Sequence, residues 1–394
     1  MLAVVETHPV QYHAPVYRAL QERFGIPVTA IYGSDFSTRG YRDREFDAPV
    51  TWGADLLSGY SHRFLSQADD EVEPDLGRLS AAGVSDALRR VAPAATMIVG
   101  YSPAFHRRAW YAAWRMKRPV LFRGETIDTA RTSSPVVRFA RRRGLRAAYG
   151  TCARLLYIGE RSRRHYRQHG VPETKLVFSP YCVDTSAFRA DESAREMCRP
   201  EVRHELGVDA DSLAIVFSGK LSRRKGVDLL PDAIGQLPPA LRRRAVLLCL
   251  GDGTLRDELR QRASAAAIDC RLLGVQRQED LSRYYHAADL LALPSREGET
   301  WGLVVNEALH HGLPCVVSDA VGCAPDLVGG ETGVVCAADS ARALADALAT
   351  AVALTNRADV RARCRARVAG YSVERAAEGI AHAYRSAIGN GATE

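Results

Sequence analysis

The sequence predicts an α/β protein with two Rossmann-like domains, each an open parallel sheet wrapped by helices, and three observations carry that expectation. Its 394 residues are more than a single core usually organises. Short apolar runs alternate with stretches of helical periodicity along the whole chain, the pattern of parallel strands joined by crossover helices. A polar, charged stretch from Val183 to Pro200 separates two such series and reads as a crossover between domains.

The first series opens with a strand at Leu2–Val5. His13 to Phe24 follows as a helix, with Val16, Ala19, Leu20 and Phe24 on one side. Val28–Tyr32, Thr96–Val99, Val120–Phe122 and Leu155–Ile158 read as further strands, with a Trp- and Ala-rich helix before Val120. The second series has strands at Leu213–Ser218, Ala245–Leu250, Cys270–Leu273, Leu290–Leu293 and Pro314–Ser318. Helices are expected at Gly226–Gln236, Leu255–Ala266, Gln278–Ala287 and Trp301–His311. The tail after Ser340 is rich in Ala and Arg and reads as helical, with Ser372 as an N-cap. No tandem repeat has a solenoid period.

Composition narrows the function classes. Hydrophobic residues make up 46% and charged residues 25%, ordinary for a soluble globular protein. No apolar run approaches the roughly 18 residues needed to span a bilayer. The N-terminus turns polar after Val5, so no signal-peptide core is expected and a cytoplasmic location is. The 9 cysteines include no CxxC pair, so neither zinc nor redox chemistry is signalled, and buried reduced thiols are expected. The net charge is +7. Much of the excess lies between Arg138 and Arg167, where a solvated helical face competes with peripheral contact to an anionic membrane. No nucleic-acid-binding signature accompanies the charge, and nucleic acid is not an expected partner.

Open α/β sheets bind ligands outside the carboxyl ends of their strands, so loops just after strands are the informative segments. Lys220 and Lys225-Gly226 follow the strand that ends at Ser218-Gly219, and cations ahead of a helix start suit an anionic phosphate. An exposed basic loop is the plain alternative. Gly251-Asp252-Gly253 allows a tight turn with close ligand approach, with Asp252 as a helix cap. In the segment from Leu293 to Pro314, a loop carries Glu299, a helix expected from Trp301 carries Glu307, and Gly312-Leu-Pro314 stops it. The N–H groups of Gly302, Leu303 and Val304 lie at that helix start, where an anion is favoured. Two carboxylates so placed are suited to gripping different ends of an extended ligand.

These segments resemble the signatures of retaining glycosyltransferases of the GT-B fold, glycosyltransferase family 4 (group 1) type. Glu299, Trp301-Gly302, Glu307-Ala308 and Gly312-Leu-Pro314 match the family's E-x7-E segment, and Lys220 to Lys225-Gly226 its diphosphate motif. Pro180 to Asp184 and on to Phe188 resembles the family's linker. The resemblance implies two parallel sheets facing across a cleft: an acceptor-side domain over 1–185, a nucleotide-sugar domain over 186–370, and a C-terminal helix over 371–394 packing back towards the first. It implies a nucleotide-sugar donor, UDP- or GDP-linked, and a glycan, lipid-linked or small-molecule acceptor. No cofactor and no metal are expected.

Lys220 and Lys225 are expected on the departing diphosphate, Glu307 on ribose hydroxyls and Glu299 on the donor sugar. Gly302, Leu303, Val304, Gly219, Gly251 and Val275 complete the expected donor contacts. The N-terminal half departs from the family pattern. In place of a Gly-rich first loop it has Glu6-Thr-His8-Pro-Val-Gln11-Tyr12-His13, and Arg123-Gly124-Glu125 follows the mid-domain strand. His8 is a donor-side candidate there, and Glu125 a candidate beside the reacting oxygen. A nucleotide-sugar epimerase of the same architecture and a non-catalytic nucleotide-sugar-binding protein are the competing readings.

Overall fold

The structure is a computed structural model that describes residues 1–38, 40–43, 48–50, 55–67, 75–101, 104–125 and 134–389. The chain divides into two compact units. One comprises Met1–Arg44, Pro49–Cys182 and Tyr371–Glu394; the other comprises Val183–Gly370 with Glu45–Ala48.

In the first unit the strands are β1 (Leu2–Glu6), β2 (Val28–Tyr32), β3 (Tyr41–Asp43), β4 (Ala48–Val50), β5 (Ser61–Phe64), β6 (Ala95–Val99), β7 (Val120–Arg123), β8 (Arg154–Tyr157) and β9 (Leu176–Phe178). Its helices are α1 (Ala14–Phe24), α2 (Val84–Val91), α3 (Ala104–Arg115), α4 (Pro135–Gly150) and α5 (Glu160–Gln168). Seven strands form a parallel sheet in the order β5-β2-β1-β6-β7-β8-β9. Successive side chains of a strand point to opposite faces. Leu2 and Val4 of β1 accordingly join a core containing α1 residues, and Ala3 and Val5 join one containing residues of α2 and α3. Both faces are covered, which is why these strands read as continuous apolar runs.

The second unit begins with α6 (Glu192–Glu205). Its strands are β10 (Leu213–Ser218), β11 (Ala245–Leu250), β12 (Asp269–Gly274), β13 (Leu290–Leu293), β14 (Cys315–Ser318) and β15 (Gly333–Cys336). Its other helices are α7 (Leu229–Gly235), α8 (Pro239–Arg242), α9 (Arg256–Ala265), α10 (Leu281–Ala287), α11 (Leu303–His310), α12 (Ala324–Leu327), α13 (Ala341–Thr355) and α14 (Val360–Val368). The six strands are parallel in the order β12-β11-β10-β13-β14-β15. The last helix, α15 (Val373–Gly389), returns to the first unit. There Ala376, Ile380 and Tyr384 join the core that holds Leu2 and Val4. Ser372 meets the expectation of an N-cap, its Oγ accepting from Arg375 N at 3.2 Å.

The structure corrects four readings. Val183–Pro200 is not all connection, since α6 starts at Glu192 and runs past Pro200. Gly226 does not open a helix: it ends a 3-10 turn at φ 68°, and α7 begins at Leu229. Asp252 is not the N-cap of α9, a position held by Leu255. Its carboxylate accepts instead from Gly253 N at 2.8 Å and Arg256 Nη1 at 2.8 Å. Finally, α11 starts at Leu303, not Trp301, with Gly302 as N-cap.

Candidate functional site

In each sheet the strand order reverses at one place, and ligands of open α/β sheets bind outside the carboxyl ends of strands at such a reversal. In the second unit the chain steps from β10 out to β11 and β12, then returns to place β13 on the other side of β10. The loops after β10 and β13 therefore leave the same end of adjacent strands, and they carry Lys220, Lys225 and Glu299.

The two loops are tied together. The Arg296 N–H donates to Arg224 O at 2.8 Å, and Arg296 Nη1 donates to Arg223 O at 2.8 Å. The same guanidinium grips Asp228 through Nη1 and Nη2 at 2.7 and 2.9 Å, and Arg223 adds a third bond at 3.0 Å. Asp228 is buried. Burial raises its pKa, but the bonds and charge of Arg296 outweigh that and hold the carboxyl below its ordinary value. Gly226 is fixed by the same approach. A Cβ there would lie 2.1 Å from Pro294 O, so only glycine lets the lysine loop meet the β13 loop.

Held in this way, Lys225 Nζ is ion-paired with Glu299 Oε2, which also accepts from Ser295 Oγ at 3.1 Å. Both side chains are largely buried, at 15% and 10% exposure, so Lys225 is no loose surface cation. Glu299 is further anchored through its backbone, its carbonyl accepting from Gly322 N at 3.0 Å. Gly302 starts α11 at φ 96°, where a Cβ would lie 2.9 Å from Val321 Cγ1. By the geometry of a helix start, the N–H groups of Leu303 and Val304 have no carbonyl one turn back within the helix. Trp301 Nε1 donates to Asn306 Oδ1 at 2.8 Å and pins the loop to the helix. Gly219 and Gly251 are neighbours: a Cβ on Gly251 would lie 2.0 Å from Gly219 O. Val275 is exposed just after β12.

Glu307 is separately housed in α11 and is buried, with Oε2 accepting from the Tyr285 hydroxyl at 2.6 Å. Burial pushes its carboxyl up to about 7, against the lowering effect of the Tyr285 bond.

The first unit carries a second polar cluster, which the sequence reading located only in part. The sheet order reverses between β1 and β6. Glu6, the last residue of β1, is buried and accepts from His13 Nδ1 and, at 3.1 Å, from the Tyr17 hydroxyl. Arg123, the last residue of β7, donates from Nη1 to His13 Nε2 at 2.8 Å, which places the ring hydrogen on Nδ1. The Arg123 guanidinium also lies over the Tyr181 ring, 5.2 Å from its centroid, and the Tyr181 hydroxyl donates to Glu125. Burial tends to raise the Glu6 pKa, yet the electrostatic attraction of the His13 ring and the hydrogen bond it donates bring it below its ordinary value.

His8, the expected donor-side histidine, is outside this chain of contacts with Glu6 and Arg123. Its Nδ1 meets Thr7 Oγ1 at 2.9 Å, its ring lies 4.7 Å from that of Phe36, and burial lowers its pKa to about 4. Glu125 is exposed at the end of β7, held by Tyr181. Glu6, His13, Tyr17, Arg123 and Tyr181 are the residues missed. A charged residue ending each of two apolar strands, VVE and VLFR, was the available signal.

Among the described residues, no group of three or more His, Cys, Asp or Glu side chains could hold a metal ion. No described helix is long and apolar enough to cross a membrane.

With this geometry in view, comparison with known proteins places the second unit. The family described as "Glycosyl transferases group 1" matches residues 199–368. A D-inositol 3-phosphate glycosyltransferase of Xylanimonas cellulosilytica is 34% identical over 163 residues, covering 40% of this chain and 37% of that protein. The lipopolysaccharide core biosynthesis mannosyltransferase LpsB of Rhizobium meliloti is 31% identical over 186 residues, covering 45% and 50%. The chain thus spans half or less of the length of these two relatives. Over nearly the full length, the crystal structure of Anabaena Alr3699/HepE in complex with UDP superposes with a TM-score of 0.72. It is 20% identical, covering 98% of this chain and 99% of that one. At that identity the likeness speaks for the fold. Residues 199–368 of this chain therefore match the family of glycosyl transferases group 1, in a chain of the GT-B fold.

Proposed function

We propose that this protein transfers a sugar from a nucleoside-diphosphate sugar to an acceptor hydroxyl, with retention of anomeric configuration. The observation that carries this reading is the Lys225–Glu299 pair, braced by Arg296 and Asp228 at the strand reversal of the second sheet. The UDP seen on HepE favours a uridine donor, with a guanosine donor as the rival. The acceptor is a glycan, a lipid-linked sugar or a small molecule.

Negative charge grows on the diphosphate as the glycosidic bond breaks, and preorganised cations and N–H dipoles lower that barrier. Lys220, Lys225 and the start of α11 fill this role. When donor binds, Lys225 exchanges Glu299 for phosphate oxygen. Glu299 is then released to donor-sugar hydroxyls and favours positive charge at the anomeric carbon. Glu307 accepts from ribose hydroxyls, as a carboxylate can do twice.

Replacing the two carboxylates one at a time tests the assignment. Glu307→Gln is expected to weaken both nucleotide sugar and bare nucleoside diphosphate. Glu299→Gln is expected to leave diphosphate binding near wild type and lower turnover, as for a contact made mainly in the transition state. Calorimetry with UDP and GDP beside initial rates reads both. Loss of diphosphate binding in Glu299→Gln alone reverses the roles, and no change in either variant removes the reading's best support.

The raised pKa of Glu307 gives a second test. With its carboxyl at about 7, the group is largely protonated below that pH and ionised above it. Ionised Glu307 accepts two hydroxyl bonds, so nucleotide-sugar affinity is expected to rise as pH increases through 7, with proton release on binding. The diphosphate of a nucleotide sugar is a diester, which keeps ligand titration out of the window. Glu307→Gln should flatten the profile. An affinity independent of pH in the unaltered protein excludes Glu307 from the ribose contact.

A further inference from the structure

Exposed large apolar side chains are unevenly distributed on this protein. Tyr111 and Trp114 on α3 are 54% and 56% exposed, and Val136, Val137 and Phe139 on α4 are 76%, 54% and 64% exposed. From Val136 to Gly144 every residue of α4 is exposed, so the first turns of this helix stand clear of the core on all sides. A solvated helix has no reason to carry Val-Val-x-Phe in such a place, and clustered exposed apolar residues mark an interaction surface.

The charge on the same two helices is one-sided. Residues 104–118 contain Arg107, Arg108, Arg115, Lys117 and Arg118, and residues 134–151 contain Arg138, Arg141, Arg142, Arg143 and Arg146. Neither stretch has a single Asp or Glu. The basic surface is thereby narrower than Arg138–Arg167 at one end and broader at the other. Arg163 and Arg167 share Glu173, and Arg164 is paired with Glu160, so three of the four arginines of α5 already have a carboxylate beside them. The helix α3, before the basic stretch, extends it.

Two hollows flank α4. One, of about 580 Å³, is bordered by Trp110, Tyr111, Trp114, Leu145 and Ala148. The other, of about 650 Å³, is bordered by Arg138, Phe139, Arg142 and Gln168, and Arg141 borders both. Arg143 lies over the Phe139 ring, 5.7 Å from its centroid. Aliphatic side chains, amphipathic aromatics and arginines exposed on two helices that border one hollow are the combination that seats a helix at the headgroup level of an anionic bilayer. A nucleic acid also rewards cations and aromatic rings, but it gives no return for exposing Val136 and Val137.

We infer that α3 and the N-terminal half of α4 form a docking surface for an anionic phospholipid bilayer, with Val136, Val137, Phe139 and Trp114 entering the interface. The inference is independent of the transferase reading, because its test involves neither donor nor turnover. The full chain is sedimented with vesicles of equal parts phosphatidylglycerol and phosphatidylcholine, or of phosphatidylcholine alone, at about 0.1 M salt, where exposed charges still act over about 10 Å.

Binding to the anionic vesicles is expected to be at least tenfold tighter. The pair Val136→Ser, Phe139→Ser and the triple Arg141→Gln, Arg142→Gln, Arg143→Gln are each expected to weaken it tenfold or more. Brominated phosphatidylglycerol should quench tryptophan emission of the unaltered chain, and Trp114→Phe should remove most of the quenching. Equal binding to both vesicles, or to neither, overturns the proposal. Anionic binding that the apolar pair leaves unchanged and a short RNA competes away also overturns it, in favour of a polyanion site. The quenching comparison needs only the unaltered chain and Trp114→Phe, so it decides the matter even if the serine variants fold poorly.

Discussion

Lys225→Ala is expected to lower turnover about 100-fold, the effect of removing one preorganised donor from a developing negative charge. That factor corresponds to about 2.7 kcal/mol of transition-state stabilisation. The motif reading alone makes this residue a loop lysine with little part in stability. The structure changes that expectation, because Lys225 is largely buried against Glu299, and its loss leaves a carboxylate with Ser295 as its remaining hydrogen-bond donor on Oε2. Leaving a buried polar group short of a partner costs about 1–3 kcal/mol. A modest drop in melting temperature should therefore accompany the kinetic defect.

The two effects separate cleanly. A merely structural lysine is replaceable by Met with Glu299→Gln, which restores a neutral, packed pair. That double variant should regain stability, and because Glu299→Gln lowers turnover by itself, the part Lys225 plays in the rate is read from the single substitutions. Lys225→Arg, which keeps the charge, should recover part of the rate. Initial rates and thermal melts on these variants decide the question. Unchanged kinetics in Lys225→Ala removes the residue from the mechanism.

How much of this was legible in the sequence depended on range. The strands β10, β11 and β13 are buried along their whole length, and such continuous apolar runs announce themselves. The α6 helix did not, because its inner side is charged. Arg199 and Arg203 hold Asp289 at 2.5 and 2.9 Å, and those arginines do the packing that an apolar stripe usually signals. Its start was nonetheless readable in Asp191, whose side chain accepts from Ala194 N at 2.9 Å. In the candidate site, Lys220, Lys225, Glu299 and Glu307 were named from local spacing. The brace between Arg296 and Asp228 joins positions 68 apart, and the Arg123–His13 bond joins positions 110 apart. No local pattern encodes such pairs. His13 went unnamed for the same reason: it follows β1 as His8 does, and only the fold shows that it meets Arg123.

Glu6→Leu is expected to destabilise the first unit by about 3–5 kcal/mol, the usual cost of removing one member of a buried charged network. Three groups lose their partner at once. His13 Nδ1 and the Tyr17 hydroxyl lose their acceptor, and the Arg123 guanidinium loses the carboxylate that faces it across the imidazole. Glu6 and Arg123 are 3% and 4% exposed, so water does not replace what is lost. If the network acts as a unit, Arg123→Met made alone should also destabilise. The double variant Glu6→Leu, Arg123→Met should then cost less than the two singles together, with a coupling of about 0.5–3 kcal/mol.

The sign of the pH dependence follows from the lowered Glu6 pKa. A carboxylate whose folded pKa is below its unfolded value stabilises fully above the ordinary value of 4.5, and that stability is lost as pH falls through the lower folded value. Wild type should thus lose stability on acidification in this range more steeply than Glu6→Leu. Because a two-unit chain need not unfold in one step, the readout is amide hydrogen exchange in β1 and β7, which reports the first unit alone. Additive effects of Glu6→Leu and Arg123→Met, or exchange in β1 unaltered by Glu6→Leu, would show that these charges are solvated separately and that no network joins the ends of β1 and β7.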